Sequence, residues 1–368
     1  MDPKAYWVGF NLVRGIGAVR LRALLDYFGD LQIAWGAPAD ALREAGLPAR
    51  SLETLLKVRN QVDLELIWAR VQSSGIQVLT WDDLEYPPLL KEIDQPPPVL
   101  YMRGHFSTEM RWAVAIVGTR RVTAYGRQAA EELAAFLASN GITVVSGLAR
   151  GIDAIAHQAS LRAGGSTLAV LGCGVDRVYP PEHSRLAAQI TEQGALISDY
   201  APGTPPDAAN FPPRNRIISG LSLATIIIEA GETSGALITA TFAAEQGRDV
   251  YALPGSIYAP QSKGTNRLIS QGARPLLRVE DVLDSLNINQ VVEYQAAQRS
   301  LPADATEYSL LMLMSAEPIH IDDLVSQSGI SIERVSAALA MMELKGIARQ
   351  VGGMNYVTAR EKPEKYEA

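Results

Sequence analysis

The chain of 368 residues has few of the side chains that form metal centres and disulfide frameworks. It contains one cysteine, Cys173, and four scattered histidines. A single cysteine excludes an internal disulfide, and these histidines match no zinc-ligand spacing. We therefore expect neither a metal nor a cofactor, and we interpret Cys173 as a small apolar filler rather than a nucleophile.

Long apolar runs and a basic leader segment are also missing. No apolar stretch approaches membrane-spanning length, and the N-terminal Met1-Asp-Pro-Lys4 does not begin a basic region followed by an apolar one. The chain is 47% hydrophobic with a mean hydropathy of +0.03, so it can bury a full core, and it is long enough for two or three domains. We expect a cytoplasmic protein with no membrane partner.

Positive charge is not in excess, because the formal net charge is -7. The acidic excess lies in the flanks: residues 1–110 carry 11 basic and 14 acidic side chains, residues 111–286 carry 15 and 15, and residues 287–368 carry 7 and 11. All but one of the basic residues in the central segment are arginine. That bias favours phosphate recognition over general solubility.

Changes in composition along the chain predict its domains. Apolar residues at helical spacing predict a small helical domain over 1–75, and a proline-rich segment over 76–110 predicts a semi-rigid connector. Strands and helices alternate over 111–286, and a linker is expected over 287–305. Over 306–360, three helices, with a turn and cap at Gly329-Ile-Ser331 before the third, and a hairpin turning at Gly352-Gly353 predict a winged helix.

Six short apolar runs in the central segment predict a Rossmann-like, doubly wound parallel α/β sheet. Nearly every run ends in a glycine or polar cluster, and ligands of such sheets bind beyond the carboxyl ends of the strands. We therefore expect these clusters to converge on one rim. The predicted strands are Val114–Val117, Thr143–Ser146, Thr167–Leu171, Ala195–Ser198, Leu223–Glu229 and Val250–Leu253.

The first of these runs, Val114-Ala-Ile-Val-Gly-Thr-Arg-Arg121, ends in a small loop that opens a helix. Gly118 lets the backbone approach an anion, the helix start supplies partial positive charge, and Arg120 or Arg121 can complete the neutralisation. The loop has neither G-x-G-x-x-G nor the Lys-Ser/Thr ending of a P-loop, so it predicts an anion site without naming the anion. The alternative is an ordinary sheet-edge turn with two solvated arginines.

Several linked motifs resemble those of the DNA-processing protein A family (DprA, also called Smf). The similar segments, in an order and spacing that match over roughly residues 80–285, are Ile116-Val-Gly-Thr-Arg120, Ser146-Gly-Leu-Ala-Arg-Gly-Ile-Asp-Ala-Ile-Ala-His157, Leu168-Ala-Val-Leu-Gly172 leading to Tyr179-Pro-Pro-Glu182, Phe211-Pro-Pro-Arg-Asn-Arg-Ile-Ile218, Ser234-Gly-Ala-Leu-Ile-Thr-Ala240, Pro254-Gly-Ser256 and Gly264-Thr-Asn266.

The resemblance implies an N-terminal helical SAM-like domain, a Rossmann-like domain and a C-terminal winged helix. It also implies a non-catalytic homodimer that binds and protects incoming single-stranded DNA and helps to load the RecA recombinase in natural transformation. Flanking domains vary within the family, so the roles of the outer domains transfer less securely than that of the central one.

A binder of single strands needs arginines and backbone amides for the phosphates and an aromatic ring for a base. Phe211 beside Arg214 and Arg216 offers that combination; the alternative is that Phe211 fills the core and Arg214 forms an ion pair with Glu229. The candidate DNA-binding residues are Gly118, Arg120, Ser146, Gly147, Arg150, Phe211, Arg214, Asn215, Arg216, Lys263 and Asn266.

Two features suggest catalysis instead, and we favour the simpler interpretation of each. Asp153 and His157 have the spacing of an acid and base on one helix face, but no nucleophile accompanies them, so we expect a structural role. Glu229 could be the acid of a nucleotide-processing hydrolase resembling the lysine-decarboxylase-like (LOG) group. The segment after it lacks the Pro-Gly-Gly-x-Gly-Thr pattern of those enzymes.

The candidate recognition helix of the winged helix is not basic. It carries Glu333, Arg334, Glu343 and Lys345, within a segment that has an acidic excess. Attraction to duplex phosphates should therefore be poor. We favour a regulatory or protein–protein role for this domain.

Overall fold

The computed structural model describes residues 1–107, 110, 112–285, 305–315, 317–344 and 347–358. Its contacts divide the chain into two compact units, residues 1–282 and residues 283–368. The expected linker over 287–305 lies outside the described residues except for its last position, and Lys345 also lies outside them.

Six helices form the N-terminal part of the first unit. Asp30 and Asp63 begin two of these helices by accepting hydrogen bonds from backbone N–H groups of the first turn, and Gly29 ends another in the left-handed conformation, at φ 72°. The apolar faces of the helices join the same buried cluster as the central sheet. The helices are α1 Lys4–Asn11, α2 Ala18–Phe28, α3 Leu31–Gly36, α4 Ala39–Glu44, α5 Ala49–Gln61 and α6 Leu64–Ser73.

A nine-stranded sheet forms the centre of this unit. Its strands are β1 Gln77–Thr80, β2 Val99–Gly104, β3 Ala113–Val117, β4 Thr143–Ser146, β5 Thr167–Val170, β6 Ala195–Ser198, β7 Ala224–Ile227, β8 Asp249–Ala252 and β9 Arg274–Pro275. They are arranged in the order β1-β2-β6-β5-β4-β3-β7-β8-β9. Strands β3 to β9 pair in parallel, whereas β2 pairs antiparallel with both β1 and β6.

The chain builds this sheet in two directions from β3. From β3 it proceeds through β4 and β5 to β6, then crosses to β7 on the other side of β3 and continues outward to β8 and β9. Because crossovers between parallel strands are right-handed, the two directions place helices on opposite faces. The helices of this part are α7 Pro88–Lys91, α8 Ala124–Ser139, α9 Ile152–Arg162, α10 Ser184–Gln193, α11 Phe211–Gly220, α12 Ala236–Glu245, α13 Lys263–Ser270 and α14 Asp281–Ser285.

The sheet confirms the predicted doubly wound α/β class, with all six predicted strands present within a residue or two. The proline-rich segment over 76–110 differs from the connector we expected, because it contributes β1, α7 and β2. Its prolines flank the strands, and the run from Val99 to Met102 is almost fully buried. The prolines directly before β2 concealed this strand in the sequence. Proline is excluded from the interior of a hydrogen-bonded strand but not from the residues beside it.

The second unit confirms the predicted winged helix. Helices α15 Ala305–Leu313, α16 Ile321–Ser328 and α17 Ile332–Leu344 are followed by a hairpin of β11 Ala348–Gly352 and β12 Asn355–Thr358. The short β10 Ile319–His320 pairs with β12 to complete a three-stranded sheet in the order β10-β12-β11. Gly329 at φ 66° ends α16, as the sequence indicates. Among the residues that the structure describes, no helix is both long and apolar enough to cross a membrane.

A buried histidine links α9 to the sheet. His157 is 0% exposed, and its Nδ1 lies 2.6 Å from Oγ1 of Thr167. That hydroxyl donates to the carbonyl of Val144 at 2.7 Å, so Nδ1 of the histidine must be the donor to it. Nε2 is then the unprotonated nitrogen, and it has no hydrogen-bond partner among the described residues. Burial accordingly lowers the pKa of His157 to about 3.

This pKa predicts acid sensitivity. Between pH 6.5 and pH 3 the unfolded chain binds a proton at His157 that the folded chain does not, so the free energy of unfolding should fall as pH falls, by up to about 1.4 kcal/mol per unit. All five tryptophans lie between Trp7 and Trp112, so tryptophan fluorescence during urea unfolding reports on the first unit. His157→Gln should flatten this pH dependence, whereas the exposed His105, changed to Gln, should not. Equal slopes in wild type and His157→Gln would contradict the assignment.

Candidate functional site

A cavity of about 630 Å³ lies at the carboxyl ends of the central strands, where the order of the sheet reverses between β3 and β7. In open α/β sheets the loops that follow the two strands diverge at this point and leave a crevice. The turn after β3 forms one wall, the loop after β7 and the start of α12 form a second, and the start of α11 forms the third. The predicted rim therefore exists, but only some of the predicted clusters reach the cavity.

Two aromatic rings line one side of the cavity. Phe211 begins α11, and its ring lies 5.6 Å from that of Tyr179, centroid to centroid, with the planes tilted by 35°. Phe211 is partly buried and Tyr179 is 40% exposed. A Cβ on Gly172 would lie 2.8 Å from Cδ1 of Phe211, so this glycine admits the ring. Phe211 is thus a partly buried ring in the cavity wall rather than a fully buried core residue.

Arg120 and Arg214 both line the cavity but differ in their environments. Arg120 is exposed and has no carboxylate within ion-pair distance in the described part of the chain. Arg214 is only 4% exposed; its Nη1 donates to the carbonyl of Gly147 at 3.0 Å and to that of Val170. Its guanidinium lies over the ring of Phe211, 5.7 Å from the centroid. Of the two, Arg120 therefore has its guanidinium available for an incoming anion.

Asp153 is the acidic group beside Arg214. It is 6% exposed, and Oδ2 accepts hydrogen bonds from the N–H groups of Gly147 at 3.2 Å and Ala149 at 3.3 Å. Burial raises the pKa of Asp153, with Arg214 and these N–H groups acting in the opposite direction. Burial also lowers the pKa of Arg214, opposed chiefly by Asp153. Arg214 and Glu229 form no ion pair, and the guanidinium of Arg214 interacts electrostatically with Asp153 from beyond ion-pair distance.

Four other predicted residues lie near the cavity with differing access to it. Gly118 lines it, and Asn215 does too while its Nδ2 donates to the carbonyl of Gly235 at 3.3 Å. Gly147 borders a small recess beside the cavity. Arg150 borders the same recess, but its guanidinium pairs with Glu182 across the loops after β4 and β5.

The remaining four candidates have side chains engaged elsewhere, which corrects their expected placement. Ser146 is fully buried and donates to the carbonyl of Ile116 at 2.6 Å. Arg216 lies on another side of α11, where it pairs with Asp199 at 3.0 Å and donates to Gln95. Asn266 bonds both the N–H and the carbonyl of Gly255. Lys263 lies 3.6 Å from Glu232, half exposed, and is not part of the cavity wall.

The first loop was predicted to offer the N-terminus of α8 to an anion. A carboxylate of the protein itself lies there. The Glu229 carboxylate accepts hydrogen bonds from the N–H and the hydroxyl of Thr123, the residue that caps α8. With 3% exposure and both oxygens engaged, Glu229 does not line the cavity as a hydrolytic acid would. Cys173 is buried in an apolar cluster, as expected for a filler.

Several cavity residues were not predicted from the sequence. Tyr179 stood inside a quoted motif without an assigned role, and its position beside two prolines after the β5 cluster was the available signal. Thr233, Ser234 and Gln261 also line the cavity, on the loops after β7 and β8. Loop residues of this kind acquire a role only when the strand order brings their loops together.

Fold and site together define a Rossmann-like protein with a C-terminal winged helix and a cavity lined by arginine and aromatic side chains at the switch point of its sheet. The sequence model described as DNA recombination-mediator protein A matches residues 77–287, and the one described as DprA winged helix domain matches residues 295–354. The chain belongs to this DNA recombination-mediator protein A family.

Individual relatives extend the match to nearly the whole chain. Protein Smf of Synechocystis is 37% identical over 96% of this chain and 98% of its own length, and Protein Smf of Escherichia coli is 36% identical over 93% and 95%. Among solved structures, DNA processing protein A from Streptococcus pneumoniae is 34% identical and covers 77% of this chain and 97% of its own, with a TM-score of 0.67. The Helicobacter pylori protein, whose structure was described for its single-stranded DNA binding mode, is 31% identical over 58% and 97%, with a TM-score of 0.52.

The two cavity arginines should differ in their effect on stability. Arg214→Ala leaves two buried carbonyls without this donor, so we expect a loss of about 2–5 kcal/mol in the free energy of unfolding. Arg120→Ala, at an exposed position, should change it by less than about 0.5 kcal/mol. Urea unfolding followed by tryptophan fluorescence measures both. Similar small losses would show that Arg214 is not the structural member of the pair.

Proposed function

We propose that this chain is a non-catalytic single-stranded DNA-binding protein and that the strand occupies the cavity at the switch point. The observation that carries the proposal is Arg120, an exposed guanidinium with no carboxylate at ion-pair distance in the described part of the chain, beside the partly exposed rings of Phe211 and Tyr179. A single strand presents a phosphate chain and unstacked base faces, which match an arginine and an aromatic platform respectively. The described Helicobacter pylori relative supports the choice of ligand.

We also propose that this protein has no catalytic activity. Asp153, His157 and Glu229 each hold a hydrogen bond that stabilises the fold, and Cys173 lies in an apolar cluster. None of these four combines an exposed reactive atom with a neighbouring base, which nucleophilic or acid–base catalysis requires.

The cellular role that we propose follows family membership. The chain acts as a homodimer that protects incoming single strands and helps to load the RecA recombinase onto them in natural transformation. Family membership supports this role, and the acidic winged helix then serves contacts with protein rather than with duplex DNA. Titration of a labelled oligonucleotide, as a single strand and as a duplex, tests the ligand; RecA filament formation on strands coated with the protein tests the handover.

Arg120→Ala should weaken binding of a single-stranded oligonucleotide and reduce its dependence on salt. Removing one phosphate ligand should lower the slope of log K against log salt by about 0.7. Arg121 is the matched control, because it is the next residue, is exposed, and does not line the cavity. Fluorescence anisotropy at several salt concentrations measures both variants. If Arg120→Ala and Arg121→Ala change affinity and slope alike, the strand does not use this cavity.

Phe211→Ala tests base stacking. Loss of a stacking platform should cost about 1–3 kcal/mol of binding free energy, with a smaller effect on stability than the roughly 3–5 kcal/mol expected when a core phenylalanine is truncated. Phe242→Ala is a suitable control, since this partly buried phenylalanine lines a different cavity. Anisotropy and thermal melting should show Phe211→Ala changing mainly affinity and Phe242→Ala mainly stability. The reverse pattern would assign Phe211 to packing alone.

A further inference from the structure

Both ends of the loop that carries Arg120 are held by one residue of the neighbouring strand. The backbone carbonyl of Glu229, just after β7, accepts a hydrogen bond from the N–H of Thr119 at 2.7 Å. The carboxylate of the same residue accepts from the N–H of Thr123 at 3.0 Å and from its hydroxyl at 2.5 Å. Arg120 and Arg121 lie between these two anchors, so Glu229 sets the span of the loop.

The carboxylate also lies directly against the first turn of α8. A Cβ on Gly126 would overlap with the Glu229 carboxyl group, so only glycine admits this approach. Glycine inside a helix costs about 1 kcal/mol relative to alanine. The Gly126 N–H donates to the Thr123 hydroxyl oxygen at 3.2 Å, which places carboxylate, hydroxyl and helix N–H in one connected group.

In the described part of the chain, the Glu229 carboxylate is buried away from side-chain cations. Within the described residues, Glu229 has no lysine or arginine at ion-pair distance, and it is 3% exposed. Its charge is stabilised instead by the Thr123 bonds and by the partial positive charge at the start of α8. In doubly wound folds this helix start is where the phosphate of a nucleotide binds. In this chain, the Glu229 carboxylate bonds Thr123, the residue that caps α8, and lies against Gly126 in the first turn of that helix.

We propose that Glu229 is an internal substitute for a bound phosphate: it denies the first strand-to-helix turn to free nucleotides and positions Arg120 for the phosphates of a single strand. The inference rests on the proposed function for its second half. Its first half, the occupied anion position, is independent of DNA.

The positioning role and simple electrostatics predict opposite effects of Glu229→Gln on the affinity for a single strand. Glu229→Gln keeps the size of the side chain and an oxygen for the Thr123 N–H, but its NH₂ group replaces the acceptor of the Thr123 hydroxyl. If Glu229 acts only through its charge, removing a negative group near the cavity should tighten binding of a polyanion. If Glu229 positions Arg120, the loosened anchor should weaken binding.

The decisive measurement is a double-mutant cycle between Glu229→Gln and Arg120→Ala with a single-stranded oligonucleotide. We expect Glu229→Gln to weaken binding by about threefold or more in the wild-type background and to have less than about a twofold effect once Arg120 is alanine. Tighter or unchanged binding, or an equal loss in both backgrounds, would overturn the positioning role.

Chemical rescue tests the anion position without DNA. Glu229→Ala should melt at a lower temperature than wild type and open a space shaped for a small anion. Sodium formate or inorganic phosphate should then raise its melting temperature in a saturable way, because a ligand of the folded state alone stabilises it. Sodium chloride at matched ionic strength is the control, and wild type should not respond specifically to either anion. No saturable response of a folded Glu229→Ala protein would overturn the substitution of a phosphate by Glu229.

The outcomes of these two tests can be distinguished from a failure of the proposed function. If Glu229→Ala does not fold, the Glu229→Gln cycle still decides the positioning role. Refolding of Glu229→Ala in sodium formate, against sodium chloride at matched ionic strength, then decides the anion position, because an anion that replaces the carboxylate should restore folded protein. If Arg120→Ala binds single strands like wild type, the proposed binding site is wrong while rescue by formate still stands. If Arg120→Ala weakens binding but the cycle is additive, only the positioning role is lost.

Discussion

The guanidinium of Arg214 connects the parts of the first unit that form the site. It lies inside the carboxyl edge of the sheet, bonds carbonyls at the ends of β4 and β5, and lies beside the buried carboxylate of Asp153. Its own helix, α11, begins one turn earlier at Phe211, so the same interaction fixes where the aromatic platform lies. A buried arginine is costly to desolvate, and this one is retained with three kinds of partner: carbonyls, a carboxylate and a ring.

Two buried carboxylates, those of Glu229 and Asp153, affect which hydrogen-bonding groups remain available at the cavity. Glu229 takes the helix start at α8, and Asp153 takes backbone N–H groups of the loop after β4. Three backbone N–H groups on the loops after β3 and β4, those of Thr123, Gly147 and Ala149, are therefore engaged with the protein itself. What faces the cavity is mainly side chain: Arg120 with its charge available, and the rings of Phe211 and Tyr179. Such a surface suits an extended ligand with separate phosphate and base groups better than it suits a mononucleotide.

Regular elements of this chain were predictable because their signals are local. Each of the six predicted strands is a short apolar run closed by glycine or polar residues, and β3 is buried along its whole length, as a central parallel strand must be. The winged helix followed from helical spacing and from turns at Gly329 and Gly352. Strands β1 and β2 were not predicted because the prolines between them suggested a connector, and because the two strands gain their stability by pairing at the edge of a sheet formed by later residues.

The sequence by itself determined the doubly wound class, the winged helix, the family, and the general location of the site at the carboxyl ends of the strands, since these follow from periodicity, turn residues and motif order. Only the tertiary structure decided which polar side chains are available there. Arg120, Arg214 and Arg216 are indistinguishable as arginines in a sequence, yet one is available to a ligand, one is buried against carbonyls and one pairs with Asp199 on another side of its helix. Availability depends on which partners the folded chain brings within hydrogen-bonding distance, and those partners come from strands and loops far apart in sequence.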